Sequence, residues 1–101
     1  MKNSSLQAEI FKVLAHSTRL QIVELLREGE KCVCDIVPEL GMEQSNISRH
    51  LNSLRKEGIV QCRKEGLKVF YWVSDPMVFE MMDLCTEMLK KQWATKQDAT
   101  T

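Results

Sequence analysis

The stretch DIVPELGMEQSNISRHLNSLRKEG, residues 35–58, decides the fold. It predicts a short helix from Asp35 to Leu40, a stop at Gly41, and a longer helix from Gln44 to Glu57 that ends at Gly58. Ile47, Leu51 and Leu54 recur at intervals of four and three, so they share one stripe of the second helix. Gln44, Ser45, Ser48, Arg49, Asn52 and Arg55 make the opposite face wholly polar. A short helix, a tight glycine turn and a longer helix with a polar outer face form a helix-turn-helix. Pro38 limits where the first of these helices starts. With Asp35 as the N-cap, Pro38 falls in the first turn, where its missing N–H costs nothing.

Upstream, Ser4 or Ser5 can cap a helix with Leu6, Ile10, Val13 and Leu14 on its apolar face. A second helix fits Ser17 to Glu28, closed by Gly29, and Lys31-Cys32-Val33 reads as a short extended piece. Downstream, Ile59 to Arg63 and Lys68 to Val73 read as strands joined by a turn at Glu65-Gly66. A last helix runs from Met77 to Trp93. The expected fold is mainly α with a small β-hairpin, a winged helix-turn-helix in the order helix-helix-helix-helix-β-β-helix. It occupies one domain over residues 1–93, with a polar tail over 94–101.

Formal net charge is zero, but it is unevenly spread. Between residues 43 and 73, Arg49, Arg55, Lys56, Arg63, Lys64 and Lys68 outnumber Glu43, Glu57 and Glu65. Positive charge thus gathers where it can face phosphates. In a helix-turn-helix the N-terminal residues of the second helix meet base edges in the major groove. Here these are Gln44, Ser45, Asn46, Ser48, Arg49 and His50. Gln and Asn can pair with adenine, Arg with guanine, and Ser with base or phosphate. Arg63, Lys64 and Lys68 flank the hairpin, in reach of the DNA backbone or minor groove. The implied partner is double-stranded DNA. No apolar run approaches membrane-spanning length and no signal-peptide core is present, so a cytoplasmic location is expected.

The four cysteines are Cys32, Cys34, Cys62 and Cys85. A Cys-x-Cys pair makes a poor zinc knuckle and suits a soft ion of low coordination number. Residues two apart on a helix diverge by about 200°. One ion can therefore bridge Cys32 and Cys34 only where the backbone is not helical. Cys62 reads better as a strand residue, and Cys85 as a small buried apolar one, than as ligands. Oxidation or persulfidation of thiols is an alternative trigger. A small thiol enzyme built on Cys-x₅-Arg is disfavoured, because the residues six after each cysteine are Pro38, Leu40, Lys68 and Lys91. No glycine-rich phosphate loop is present either. A protein-binding adaptor fits the basic helix poorly. No permanent cofactor is expected.

Leu14-Ala15-His16-Ser17-Thr18-Arg19-Leu20, Cys32-Val33-Cys34-Asp35, Gln44 to Leu51, Leu54 to Val60 and Gly66 to Tyr71 together resemble the ArsR/SmtB family of metal(loid)-responsive repressors. The likeness spans residues 6–90 and is strongest to the arsenic-responsive type. It implies a homodimer held by the first and last helices, sitting on an inverted-repeat operator until an inducer binds. Leu6, Ile10 and Val13, with Phe79, Met82, Cys85 and Leu89, could form that interface or pack within the chain's own core. The family's cysteine pattern implies As(III) or Sb(III) at Cys32 and Cys34. Lead- and cadmium-sensing relatives add cysteines near the N-terminus, and residues 1–31 have none. The family's zinc site on the last helix needs histidine, and neither histidine lies beyond position 50. Persulfide-sensing relatives carry a cysteine in the second helix, absent here. A third cysteine common in arsenic-responsive relatives is replaced by Val37, which leaves Cys62, Cys85, a partner chain or a small thiol as candidates for a third ligand.

Overall fold

The computed structural model describes residues 2–100, with side chains through Thr95. Helix α1 spans Asn3–Leu14 and α2 Ser17–Leu25, followed by a 3₁₀ turn at Leu26–Glu28. Strand β1 is Lys31–Cys32, α3 Val33–Leu40 and α4 Gln44–Lys56. Strands β2 (Val60–Glu65) and β3 (Lys68–Val73) form the hairpin, and α5 covers Met77–Thr100.

The core forms where the periodicity of α4 demanded it. Ile47, Leu51 and Leu54 are fully buried, packed with Ile22 and Val23 of α2 and Ile36 of α3. Each such side chain stabilises the fold by roughly 1.5–3 kcal/mol. Val13 and Leu14 close the cluster from α1, Ile59 and Val60 from the start of the hairpin, and Val78 from α5. Gly41 makes the turn between α3 and α4. Its φ of 62° is left-handed, and its N–H donates to the Val37 carbonyl at 2.9 Å. A side chain there would strain the backbone.

Several local expectations are corrected. Ser4 and Ser5 lie inside α1, whose N-cap is Lys2. Asp35 is not the N-cap of α3 but its third residue; Cys32 is the N-cap, in extended backbone with φ −83° and ψ 164°. Asp35 still serves the helix start, because its Oδ2 accepts the Cys32 N–H at 3.1 Å, half of a capping box. Pro38 consequently lies past the first turn, within α3. With no N–H at Pro38, the Cys34 carbonyl lacks its helical partner. The hairpin loop is Gly66-Leu67, not Glu65-Gly66, and Glu65 pairs with Lys68 as the last rung. Gly66 takes a φ of 63° at the first loop position, where two-residue hairpins favour glycine. Helix α5 continues past Trp93 to Thr100, so the expected tail begins within it; Thr101 lies outside the described residues.

The wing is also larger than a hairpin. β1 joins β3 antiparallel, with Lys31 opposite Tyr71 and Cys32 opposite Phe70, giving a sheet ordered β1-β3-β2. This ties the segment carrying the cysteines directly to the wing. Helix α5 docks through Val78, Phe79, Met81 and Met82. Arg27 reinforces it with a two-pronged pair to Asp83, at 2.9 and 3.2 Å, and lies over the Phe79 ring. Beyond that contact, Leu84, Met88, Leu89 and Trp93 are exposed, as are Leu6, Ile10 and Phe11 on α1.

Candidate nucleic-acid interface and cysteine site

The outer face of α4 presents Gln44, Ser45 and Arg49 to solvent, with Asn46, Ser48 and His50 partly covered. The Arg49 guanidinium donates to Asn46 Oδ1. These two are therefore positioned together one helical turn apart. In the wing, Lys64 and Lys68 are exposed and make no ion pair among the described residues. Arg63 differs. It stacks over Phe70 and pairs with Glu30 and Glu65; these carboxylates hold its pKa above the ordinary value, and the pairing draws the Glu30 carboxyl below its own. Of the three basic wing residues, Lys64 and Lys68 are the ones without an ion pair among the described residues.

His50 is turned inward. Its Nδ1 accepts from Arg19 Nε at 3.2 Å, and its ring centroid lies 4.5 Å from that of His16. Arg19 is anchored by donating to the Val13 carbonyl at 3.1 Å, and His16 caps α2 by accepting the Thr18 N–H. Burial, then His16, Arg19 and Arg49, all disfavour the imidazolium, so the His50 pKa falls below 6.5. A group depressed in the folded state makes the unfolded chain bind more protons. Its contribution is intact above 6.5 and is lost as pH falls below it. Denaturant midpoints should therefore drop between about pH 7.5 and about pH 5. His50→Gln, which removes this titration, should flatten that slope. An unchanged slope would remove His50 as its source.

The cysteine site arises at the junction of β1 and α3. Extended backbone at Cys32 breaks the helical divergence that would otherwise separate it from Cys34. The two Cα atoms are 5.1 Å apart and the pair is joined as a disulfide. Cys32 is buried, and Cys34 and Asp35 are exposed. Among the described residues these three form a group with ligand atoms all within 4.8 Å. When reduced, the same backbone presents two sulphurs to one soft ion, so the donor set fits a thiophilic centre. Cys62, half-buried on β2, and Cys85, exposed on α5, are free thiols outside the group.

The pair borders α4 and the wing. Cys32 and Cys34 line a cleft of about 180 Å³ together with Gln44 and Ser48 of α4 and with Leu67 to Val69 and Tyr71 of the wing. Burial holds the Tyr71 hydroxyl above its ordinary pKa. Sequence reasoning missed this cleft, since only the pairing of β1 with β3 brings these segments together.

Comparison with known proteins agrees with this geometry. Residues 16–61 match the family described as bacterial regulatory protein, arsR family. The chain is 50% identical over 82 residues to an uncharacterized HTH-type transcriptional regulator of Methanocaldococcus jannaschii, covering 80% of this chain and 92% of that one. It is 50% identical over 70 residues to the arsenical resistance operon repressor of Escherichia coli, covering 68% and 60% respectively. The homodimeric winged helix-turn-helix DNA-binding domain of a possible ArsR-family regulator from Mycobacterium bovis superposes with a TM-score of 0.78 at 30% identity, over 88% of this chain and 82% of that one. No described helix is long and apolar enough to cross a membrane. With its buried α4 stripe, three-stranded wing and matching relatives, this chain belongs to the ArsR family of winged helix-turn-helix transcriptional regulators, which are DNA-binding proteins and not enzymes.

Proposed function

We propose that the protein is a homodimeric repressor that leaves an inverted-repeat operator when As(III) or Sb(III) binds Cys32 and Cys34. The observation that carries this reading is the extended N-cap at Cys32, which lets two sulphurs meet beside α4 and the wing. The 50% identity to the Escherichia coli arsenical resistance operon repressor supports the choice of inducer. Gln44, Ser45, Asn46, Ser48 and Arg49 read base edges, and Lys64 and Lys68 contact the backbone. Arg63 reaches DNA only by giving up Glu30 and Glu65, and His50 acts by holding α4 against α2. An ion that binds the cysteines more tightly in one arrangement of α3 and the wing shifts DNA affinity by that difference.

The juxtaposed sulphurs also support a second reading, a redox trigger in which the two thiols lose two protons and two electrons to form the bond the structure contains. Operator binding by the reduced protein, followed by fluorescence anisotropy, separates the two. Release by arsenite or antimonite, with zinc and cadmium weaker, fits the metalloid reading. Release by persulfide or oxidant alone replaces it with the redox one.

The dimer rests on the exposed apolar side chains of α1 and α5, including Phe11, Leu84, Met88 and Trp93. So much exposed apolar surface along one helix is characteristic of an interface. Light scattering should give about twice the 11.7 kDa chain mass at micromolar concentration. A stable monomer there contradicts the dimeric reading.

A further inference from the structure

Trivalent arsenic forms three bonds, and this chain brings two sulphurs to the site. The sheet register withholds a third. Cys32 stands opposite Phe70 and Cys62 opposite Tyr71, and neighbouring residues on a strand face opposite sides. Cys62 is thereby directed away from the pair. Cys85 lines a separate hollow with Leu20, Met82 and Leu89. Asp35 Oδ2 already accepts the Cys32 N–H, and a carboxylate oxygen suits a soft ion poorly.

What the pair does face is the 180 Å³ cleft between α4 and the wing. Its polar lining residues include Gln44 and Ser48 of α4 and Lys68 of the wing, and no acidic residue is among them. Lys68 has no ion-pair partner among the described residues. The lining thus brings the cysteine pair, a lysine without an ion pair among the described residues, and hydrogen-bonding side chains to one cleft.

We propose that the third arsenic bond goes to a low-molecular-weight thiol bearing a carboxylate, seated in this cleft with the carboxylate on Lys68. This deepens the metalloid reading above and rests on it. The chemistry balances without an oxidant or reductant. Arsenous acid meets three thiols, three As–O bonds give way to three As–S bonds, each thiol proton leaves with a hydroxide as water, and arsenic stays trivalent. Gln44, Ser48 and Lys68 belong to the DNA-facing set, so the seated thiol competes for groups that DNA uses. It also adds negative charge where phosphate approaches. Such competition is reciprocal: operator DNA weakens uptake of the thiol as much as the thiol weakens DNA.

The test uses the full chain, kept reduced with a phosphine, and compares mercaptoacetate with 2-mercaptoethanol at equal concentration. Native mass spectrometry should show one arsenic and one mercaptoacetate per protomer. In the matching anisotropy titration, half-release of operator should need about fivefold less arsenite with mercaptoacetate than with 2-mercaptoethanol, the scale of one partly screened ion pair. An adduct with arsenic but no added thiol overturns the proposal and leaves the repressor reading standing. Equal uptake and equal release with the two thiols overturns the carboxylate site. A reduced protein that takes up no arsenic under any of these conditions overturns the metalloid reading and this proposal together.

Discussion

The double variant Cys32→Ser/Cys34→Ser should bind operator as the unmodified protein does and no longer leave it when arsenite is added. Cys32 is buried at the N-cap of α3, a position that serine occupies favourably. The Asp35 carboxylate bonds the backbone N–H of residue 32, so that half of the helix start does not depend on sulphur. Cys34 is exposed, and its replacement leaves the core untouched. The fold cost should be about 1 kcal/mol or less. A serine hydroxyl stays protonated at neutral pH and does not replace a thiolate on a soft ion. The arsenite concentration for half-release should therefore rise by about a hundredfold or more, equivalent to about 3 kcal/mol. Operator anisotropy measured before and during the arsenite titration separates the two effects. A double variant released at the original arsenite concentration would falsify the assignment of the inducer site. Loss of the response to oxidants alone would favour the redox trigger.

Arg49→Ala should weaken specific operator binding by about 1–3 kcal/mol, roughly fivefold to 150-fold, if Arg49 pairs with a guanine. The side chain is exposed on the outer face of α4 and packs against none of the buried stripe. Its loss should leave the unfolding midpoint within about 0.5 kcal/mol of the original. The guanidinium is held by Asn46 Oδ1, so Asn46→Ala should show a smaller loss in the same direction. Titration against specific and random duplexes at several salt concentrations distinguishes the possible roles. A base contact gives a loss confined to the operator. A phosphate contact gives a similar loss on every duplex and a shallower salt dependence. Unchanged affinity on all duplexes removes Arg49 from the interface.

The outcome at α3 shows where local reading reaches its limit. Asp35, Cys32 and Pro38 are all recognisable as helix-start residues, and the position of the cap among them differs by three residues. That choice depends on Cys32 being pulled into extended backbone by pairing with Phe70 on β3, a partner far along the chain. Propensity cannot register such a contact. The extended piece at Lys31-Cys32-Val33 was legible, but its pairing with β3 was not, since two residues carry no alternation that would mark a sheet partner. The extra length of α5 went unread for the opposite reason. Its segment beyond Trp93 is polar and lacks the apolar repeat that marks a helix packed on a core.

By itself the sequence determined the helix-turn-helix, the wing, the polar outer face of α4 and the cysteine pair, because each is written in residues close together along the chain. Ile47, Leu51 and Leu54 announce their buried stripe by spacing alone, and Gly41 announces the turn before it. Only the tertiary structure decided that His50 faces Arg19 and His16, that Arg63 is engaged by Glu30, and that Cys62 is cut off from the pair. It also decided that Cys32 and Cys34 meet, and that they do so in a cleft shared with α4 and the wing. The physical reason is one of range. Periodicity and capping are set by neighbours within a turn or two, whereas the placing of the cysteine segment against the wing is set by strand register, which the chain acquires only when β1 pairs with β3.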